Sequence, residues 1–441
     1  MGRAIRRCAA VLGRTAVLTA LSRASLCTAM AETSGSQNDN PLFADVATQP
    51  EVGTTQQNPT TSPASFENNL TGDWWGQRQK LQDAGITVGA TLIAEGFDNF
   101  QGGIDTAHAV GATTLDLNFA LDTESLLHLP GGEFYVDLED HAFGNPTSTL
   151  VGDLQVFDKQ NTRPYFQIFE MWYQQQLFDG KLRIKVGKVD ANTEFSVIDN
   201  GLPFINSSTQ VSPTIFMFPT TPDPMPSVNV FFTPNDSYYA GLGAYYANRS
   251  DRFGDLVDDP AKNQPAEFGT FLIGETGIKW HGTPLLGLAG NLKVGAWGDT
   301  GTFMRFDGSQ QEGTYGYYGI FDQTIWQPAG EPDKGRGLRT FLEYGGTQND
   351  ISVIDQHFGG GITWTGVFGA RADDIIGFSP QYAHISPQAG LSHSYEIALE
   401  VFYQWQLTPW AFIQPDLQYI VNPGGTYPNA LVATIRLQIG F

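Results

Sequence analysis

Cysteine is almost missing. The 441 residues contain two, Cys8 and Cys27, both near the start of the chain. That excludes a disulfide framework and a cysteine-built metal site over the remainder. Basic residues are also scarce, 24 Lys and Arg against 46 Asp and Glu. Such a balance excludes a nucleic-acid partner, whose phosphates require a basic surface. Past the first thirty residues no apolar run approaches about eighteen residues, so no helix is expected to cross a membrane. The seven histidines form no H-E-x-x-H or paired metal spacing, and no G-x-S-x-G occurs, so neither catalysis nor a cofactor is expected. Asp258-Asp259 and Asp373-Asp374 are adjacent, and strand neighbours point to opposite faces, which makes them poor acid–base couples.

What is present begins with a leader. Arg3, Arg6 and Arg7 precede the apolar run Thr15–Leu21, and Ala29-Met30-Ala31 ends in an A-x-A pattern. These three parts predict a secretory signal peptide over 1–31, with a disordered basic tail as the alternative. Its removal would take both cysteines and five arginines, leaving 19 basic against 46 acidic residues, a balance of −27. Residues 32–69, rich in Thr, Gln, Asn, Ser and Pro, predict a disordered linker. Residues 70–85, LTGDWWGQRQKLQDAG, predict a short helix capped by Asp73 and closed by Gly85.

From Ile86 onward the period changes to two. In LDLNFALD the apolar Leu115, Leu117, Phe119 and Leu121 alternate with Asp116, Asn118 and Asp122. In EFYVDLED, Phe134, Val136 and Leu138 alternate with Glu133, Tyr135, Asp137 and Glu139. The chain ends as TIRLQIGF, again alternating, on an aromatic residue. Sixteen strands are predicted, beginning near Ile86, Val110, Gly132, Pro164, Lys181, Val228, Tyr238, Gly269, Gly290, Gly316, Gly337, His357, Arg371, Ser394, Trp410 and Ala430. Short turns at Asp179-Gly180, Thr233–Asp236 and Thr408-Pro409 alternate with longer loops at 142–163, 191–227, 247–268 and 300–315. Folding at Asp179-Gly180 sets Gln176 opposite Arg183, Gln174 opposite Lys185, Trp172 over Gly187, Tyr173 against Val186 and Leu177 against Leu182.

A soluble sandwich also alternates. The even strand number, the asymmetry of turns and loops, and about 22 residues per strand favour an all-β transmembrane antiparallel barrel over 86–441, with 70–85 as a short periplasmic helix. A barrel has no free edge, so the last strand must pair with the first. The terminal Phe441 resembles the signal that outer-membrane proteins present to the barrel assembly machinery.

Several stretches resemble the bacterial carbohydrate-selective outer-membrane porin family (OprB type): LTGDWWGQRQKLQDAGI, MWYQQQLFDGKLRIKVGK at 171–188, FDQTIWQPAG at 321–330, RADDIIGF at 371–378 and QLTPWAFIQPDLQYIVNPGG at 406–425. They occur in the family's order. Trp75 departs from it, since Gly is more frequent there, and so does Gln174, often Glu. The resemblance implies a sixteen-stranded barrel in the outer membrane of a Gram-negative bacterium, amid lipid and lipopolysaccharide, that passes sugars passively. It leaves open a monomer or a homotrimer. Candidate pore-lining, carbohydrate-binding residues are Asp116, Asp137, Glu170, Trp172, Gln174, Arg183, Lys185, Trp297, Asp299, Asp322, Glu343 and Asp416, with Trp326 on the same side as Asp322. Trp280, Trp364, Trp405 and Trp410 are expected in an outer aromatic girdle. The loop 191–227 is long enough to fold inward or to stay at the surface, and the RADD residues are expected to cap a turn. A general diffusion porin and a soluble secreted lectin are the competing readings.

Overall fold

The computed structural model describes residues 68–248, 268–282, 286–329 and 335–441. The expected signal peptide, nearly all of the linker and most of the expected loop 247–268 lie outside them. Sixteen strands are present among the described residues: β1 (Ile86–Gln101), β2 (Ala109–Asp122), β3 (Gly132–Phe143), β4 (Tyr165–Leu177), β5 (Leu182–Val189), β6 (Met225–Asn235), β7 (Tyr238–Asn248), β8 (Phe268–Trp280), β9 (Gly290–Met304), β10 (Gln310–Trp326), β11 (Gly337–Thr347), β12 (Ile354–Thr365), β13 (Ile375–Ile385), β14 (Tyr395–Thr408), β15 (Ala411–Val421) and β16 (Ala430–Gly440). Each pairs antiparallel with its sequence neighbours, and β1 pairs with β16, so the sheet closes into a barrel. Closure supplies partners to every strand edge, the last strand included.

The register at Asp179-Gly180 is as expected at all five pairs. Gly187 has φ +145°, and a Cβ there would lie 2.2 Å from the Met171 carbonyl oxygen, so only glycine lets Trp172 cross this strand. Two expectations are corrected. Residues 300–315 form no long loop: β9 runs to Met304 and β10 starts at Gln310, leaving a five-residue turn. Arg371 begins no strand. Its guanidinium binds Asp374 at 2.8 and 2.9 Å and donates to the Gln406 carbonyl at 2.6 Å, fastening the turn before β13 to β14.

At the seam, the N-terminal segment holds both ends of the cylinder together. Helix α1 (Gln77–Asp83) carries Arg78, only 6% exposed, over the Trp74 ring at 4.7 Å. Its guanidinium donates to the carbonyls of Val88 on β1 (2.8 Å) and Phe441 (2.7 Å). Leu70 N–H donates to Gly440 and Phe441 N–H to Ala90, each at 2.9 Å.

Large apolar side chains stand exposed on the barrel's outer surface, among them Val186, Leu242, Leu272, Ile278, Leu342, Phe358, Phe378 and Val401. Aromatic residues bound this surface at both ends. Tyr317 lies tilted against Tyr344, and Tyr382 stacks on Tyr395, towards one end; Trp326 packs on Trp364, and Trp280 on Phe321, towards the other. Along β10, Tyr317 and Trp326 are nine residues apart, roughly 30 Å of strand and about 23 Å of height at a 40° tilt. Trp326 faces outward, contrary to the strict alternation expected from Asp322. A β-bulge between Thr324 and Trp326 inserts one residue and flips the parity.

Candidate functional site

The longest described connection, residues 190–224 between β5 and β6, folds into the barrel. Its 3₁₀ turns are capped locally: Asp190 accepts from Asn192 N–H at 2.8 Å, and Asn206 from Ser208 N–H at 2.9 Å. The loop carries Phe195, Ile198 and Phe204 between these turns and Ile215 and Met217 after the second, all buried. These form one cluster with Tyr135, Trp172, Phe231, Tyr245, Phe271, Trp297, Tyr318, Phe341 and Phe402, contributed by nine different strands. Only the inside of a closed cylinder touches all nine. The inner wall is therefore aromatic along β6–β11, not polar all round as alternation suggested. The loop supplies an apolar surface that those rings cover, which removes both from water.

A loop placed there must still satisfy its backbone amides. Carboxylates on the wall do so. Glu170 accepts from Asp190 N–H (2.8 Å), Glu275 from Ser196 N–H (2.9 Å), Asp322 from Asn200 N–H (2.9 Å), and Glu400 from Ile205 (2.6 Å) and Asn206 (3.2 Å). Glu396 holds a second infolded segment, accepting from Leu154 and Gln155 N–H at 2.9 Å, and from Gly424 N–H at 2.7 Å.

Seven of the twelve candidate residues meet in one patch on β2–β5. Asp116 stands opposite Glu139, and Asp137 opposite Glu170. Trp172 stacks on Tyr135 with ring centroids 4.8 Å apart, and Lys185 Nζ lies 3.8 Å above the Trp172 ring. Arg183 binds Gln174 at 3.1 Å. Arg183 and Lys185 together clasp Glu194 of the loop at 2.6 and 2.5 Å. Burial alone would raise the Glu194 carboxyl; the two cations outweigh it and hold it at about 2.

The other five are spread around the wall. Trp297 stacks on Phe271 (5.7 Å) and meets Phe216 edge-on. Asp299 accepts from Gly301 N–H at 2.8 Å, and Asp322 anchors the loop. Glu343 is enclosed, 3.7 Å from His357. Asp416 accepts from Gln418 at 3.2 Å. The residues missed from sequence are Glu275, Glu396 and Glu400 as anchors, and Asp190, Glu194 and Lys159 from the loops. The anchors share the alternation of the other wall acids, but nothing local tells which acid meets a loop.

Between the infolded loops and β1–β4 lies a cavity of about 310 Å³, lined by Asp116, Glu139, Lys159, Asp190, Asn192 and Gln210 among others, with Ile93 and Phe169 giving apolar contact. Hydroxyl-rich solutes fit such a lining, because carboxylates, amides and an ammonium replace water at both donors and acceptors. Among the described residues no three His, Cys, Asp or Glu side chains are placed to hold a metal ion.

Comparison with known proteins gives one answer. Residues 108–441 match the family model of the carbohydrate-selective porin, OprB family. Porin B of Pseudomonas aeruginosa is 24% identical over 84% of this chain and 91% of its own. The putative porin QuiX of Acinetobacter baylyi is 22% identical over 84% and 93%. The fold matches a high-pH structure of Pseudomonas putida OprB, with TM-score 0.74, 21% identity, 86% of this chain and all of that one. A closed barrel of sixteen strands, a polar inner cavity and a family match over most of the chain converge: this chain belongs to the OprB family of carbohydrate-selective outer-membrane porins.

Proposed function

We propose that the barrel spans the outer membrane and passes mono- and small oligosaccharides, such as glucose, passively into the periplasm. The observation that carries this is the eccentric polar cavity beside an infolded loop. It narrows a sixteen-strand lumen to a size that a single sugar would have to negotiate in contact with the wall. In this reading Asp116 on the cavity wall contacts solute, while Glu170 and Asp322, holding loop amides, and Arg183 and Lys185, clasping Glu194, fix the loop that sets the bore. Binding stays weak, as passage requires.

The membrane placement draws support from the outward apolar band and its two aromatic girdles, about 23 Å apart along β10. Lipid and lipopolysaccharide then surround the barrel, α1 lies on the periplasmic side, and Phe441 serves the assembly machinery. The working unit is a monomer or a homotrimer, which native mass determination in detergent separates. Single-channel currents across a planar bilayer test the function. Concentration-dependent, saturating block by glucose and maltose is expected. Conductance set by solute size and charge alone, with no sugar block, would mean a general diffusion porin instead.

A further inference from the structure

The cavity is lined by three acids and one base: Asp116, Glu139 and Asp190 against Lys159. Asp116 on β2 and Glu139 on β3 are directly opposite in register, an arrangement that destabilises a sheet when both are charged. Glu139 receives a hydrogen bond from the Tyr165 hydroxyl. Asp116 is less well served. It is 5% exposed and its carboxyl pairs with that of Glu139, while its Oδ1 has no hydrogen-bond partner. An acceptor left so on a cavity wall lacks a donor, and a cationic donor answers both the missing bond and the like-charge pairing. Lys159 does not provide it, since its ammonium donates to the Leu202 carbonyl at 3.2 Å. Phe169 and Ile93, both buried beside the pair, give the apolar contact that a pyranose ring face takes up.

We propose that Asp116, with Glu139 opposite, is a recognition site for a protonated amino group, so that the channel ranks sugars by charge: amino sugars first, neutral hexoses next, sugar acids last. This rests on the carbohydrate-channel reading and names a solute class within it. The ammonium is held by the Asp116–Glu139 carboxyl pair while the ring lies against Phe169. A carboxylate-bearing sugar meets the same pair as like charge and is held less.

Planar-bilayer recordings on the full-length mature protein test this, reading the half-blocking concentrations of glucosamine, glucose, N-acetylglucosamine and glucuronate. Glucosamine is expected to block at about fivefold lower concentration than glucose, the order that a solvated ion pair supplies, and glucuronate at a higher one. In Asp116→Asn, with heat-modifiable migration confirming a closed barrel, glucosamine and glucose should fall within about twofold. Equal half-blocking concentrations for the two in the wild type would overturn the proposal, as would an undiminished glucosamine preference in Asp116→Asn. Should that variant fail to close, N-acetylglucosamine decides: it keeps the ring and loses the charge, and blocking as well as glucosamine refutes the site. Glucose block without a glucosamine advantage sinks this inference alone, whereas no block by any sugar sinks the carbohydrate-channel reading beneath it.

Discussion

Arg183 of the wall donates to Glu194 of the infolded loop over 2.6 Å, and this bond pins the loop's first turn to the strand that delivers it. Lys185 completes the clasp. Because the Glu194 carboxyl is held at about 2, below its ordinary value near 4.5, the unfolded chain binds the proton more tightly. Stability from this group is therefore full above about pH 4.5 and is lost as pH falls toward 2. The full difference is on the order of 3 kcal/mol. Glu194→Gln should reduce the loss of thermal stability between pH 5 and pH 3, and loosen the loop enough to raise single-channel conductance.

Glu396 tests the second infolded segment. Glu396→Ala leaves the buried backbone amide of Gln155 and the part-buried ones of Leu154 and Gly424 without their acceptor. A cost of roughly 2–4 kcal/mol is expected. Hydrogen exchange at Leu154 and Gln155 should quicken, while the amides of Ile205 and Asn206, held by Glu400, remain protected.

Lys159 predicts a titration near neutrality. Burial lowers its ammonium, and the Arg436 charge adds to this, to about 7. As pH rises through 7 the cavity loses its base and becomes more acidic in balance, so the cation-to-anion permeability ratio should rise between pH 6 and 8. Lys159→Gln should abolish that step. For stability the slope has the same sign as for Glu194, in a different window: the unfolded chain holds the extra proton from about pH 7 to about 10.4, so stability rises with pH across it.

Trp75 is strained and idle. It has φ +57° and is 99% exposed. A left-handed non-glycine residue costs roughly 1–2 kcal/mol, against roughly 0.5–1 kcal/mol of extra backbone entropy for glycine. Trp75→Gly should therefore raise stability by about 0.5–1 kcal/mol, seen as a higher temperature for the heat-induced shift in gel migration.

Much of this barrel was written locally. A side-chain period of two told which residues share a face, and the hairpin at Asp179-Gly180 set its register from turn chemistry alone. The pairing of β16 with β1 followed from the need to leave no open edge. Where the period was interrupted, reading failed: the bulge before Trp326 turned that ring to the outer surface, and no residue type in FDQTIW announces it.

What fills the cylinder was decided only by tertiary structure. Residues 190–224 have no period, and their anchors lie far along the chain: Ile205 N–H meets Glu400 across 195 residues, and Asn200 N–H meets Asp322 across 122. Alternation says which face a wall residue presents, since that depends on its immediate neighbours in the strand. It does not say whether water or another part of the chain stands opposite, because that is settled by how much apolar surface the loop can bury and how many of its amides the distant wall can satisfy.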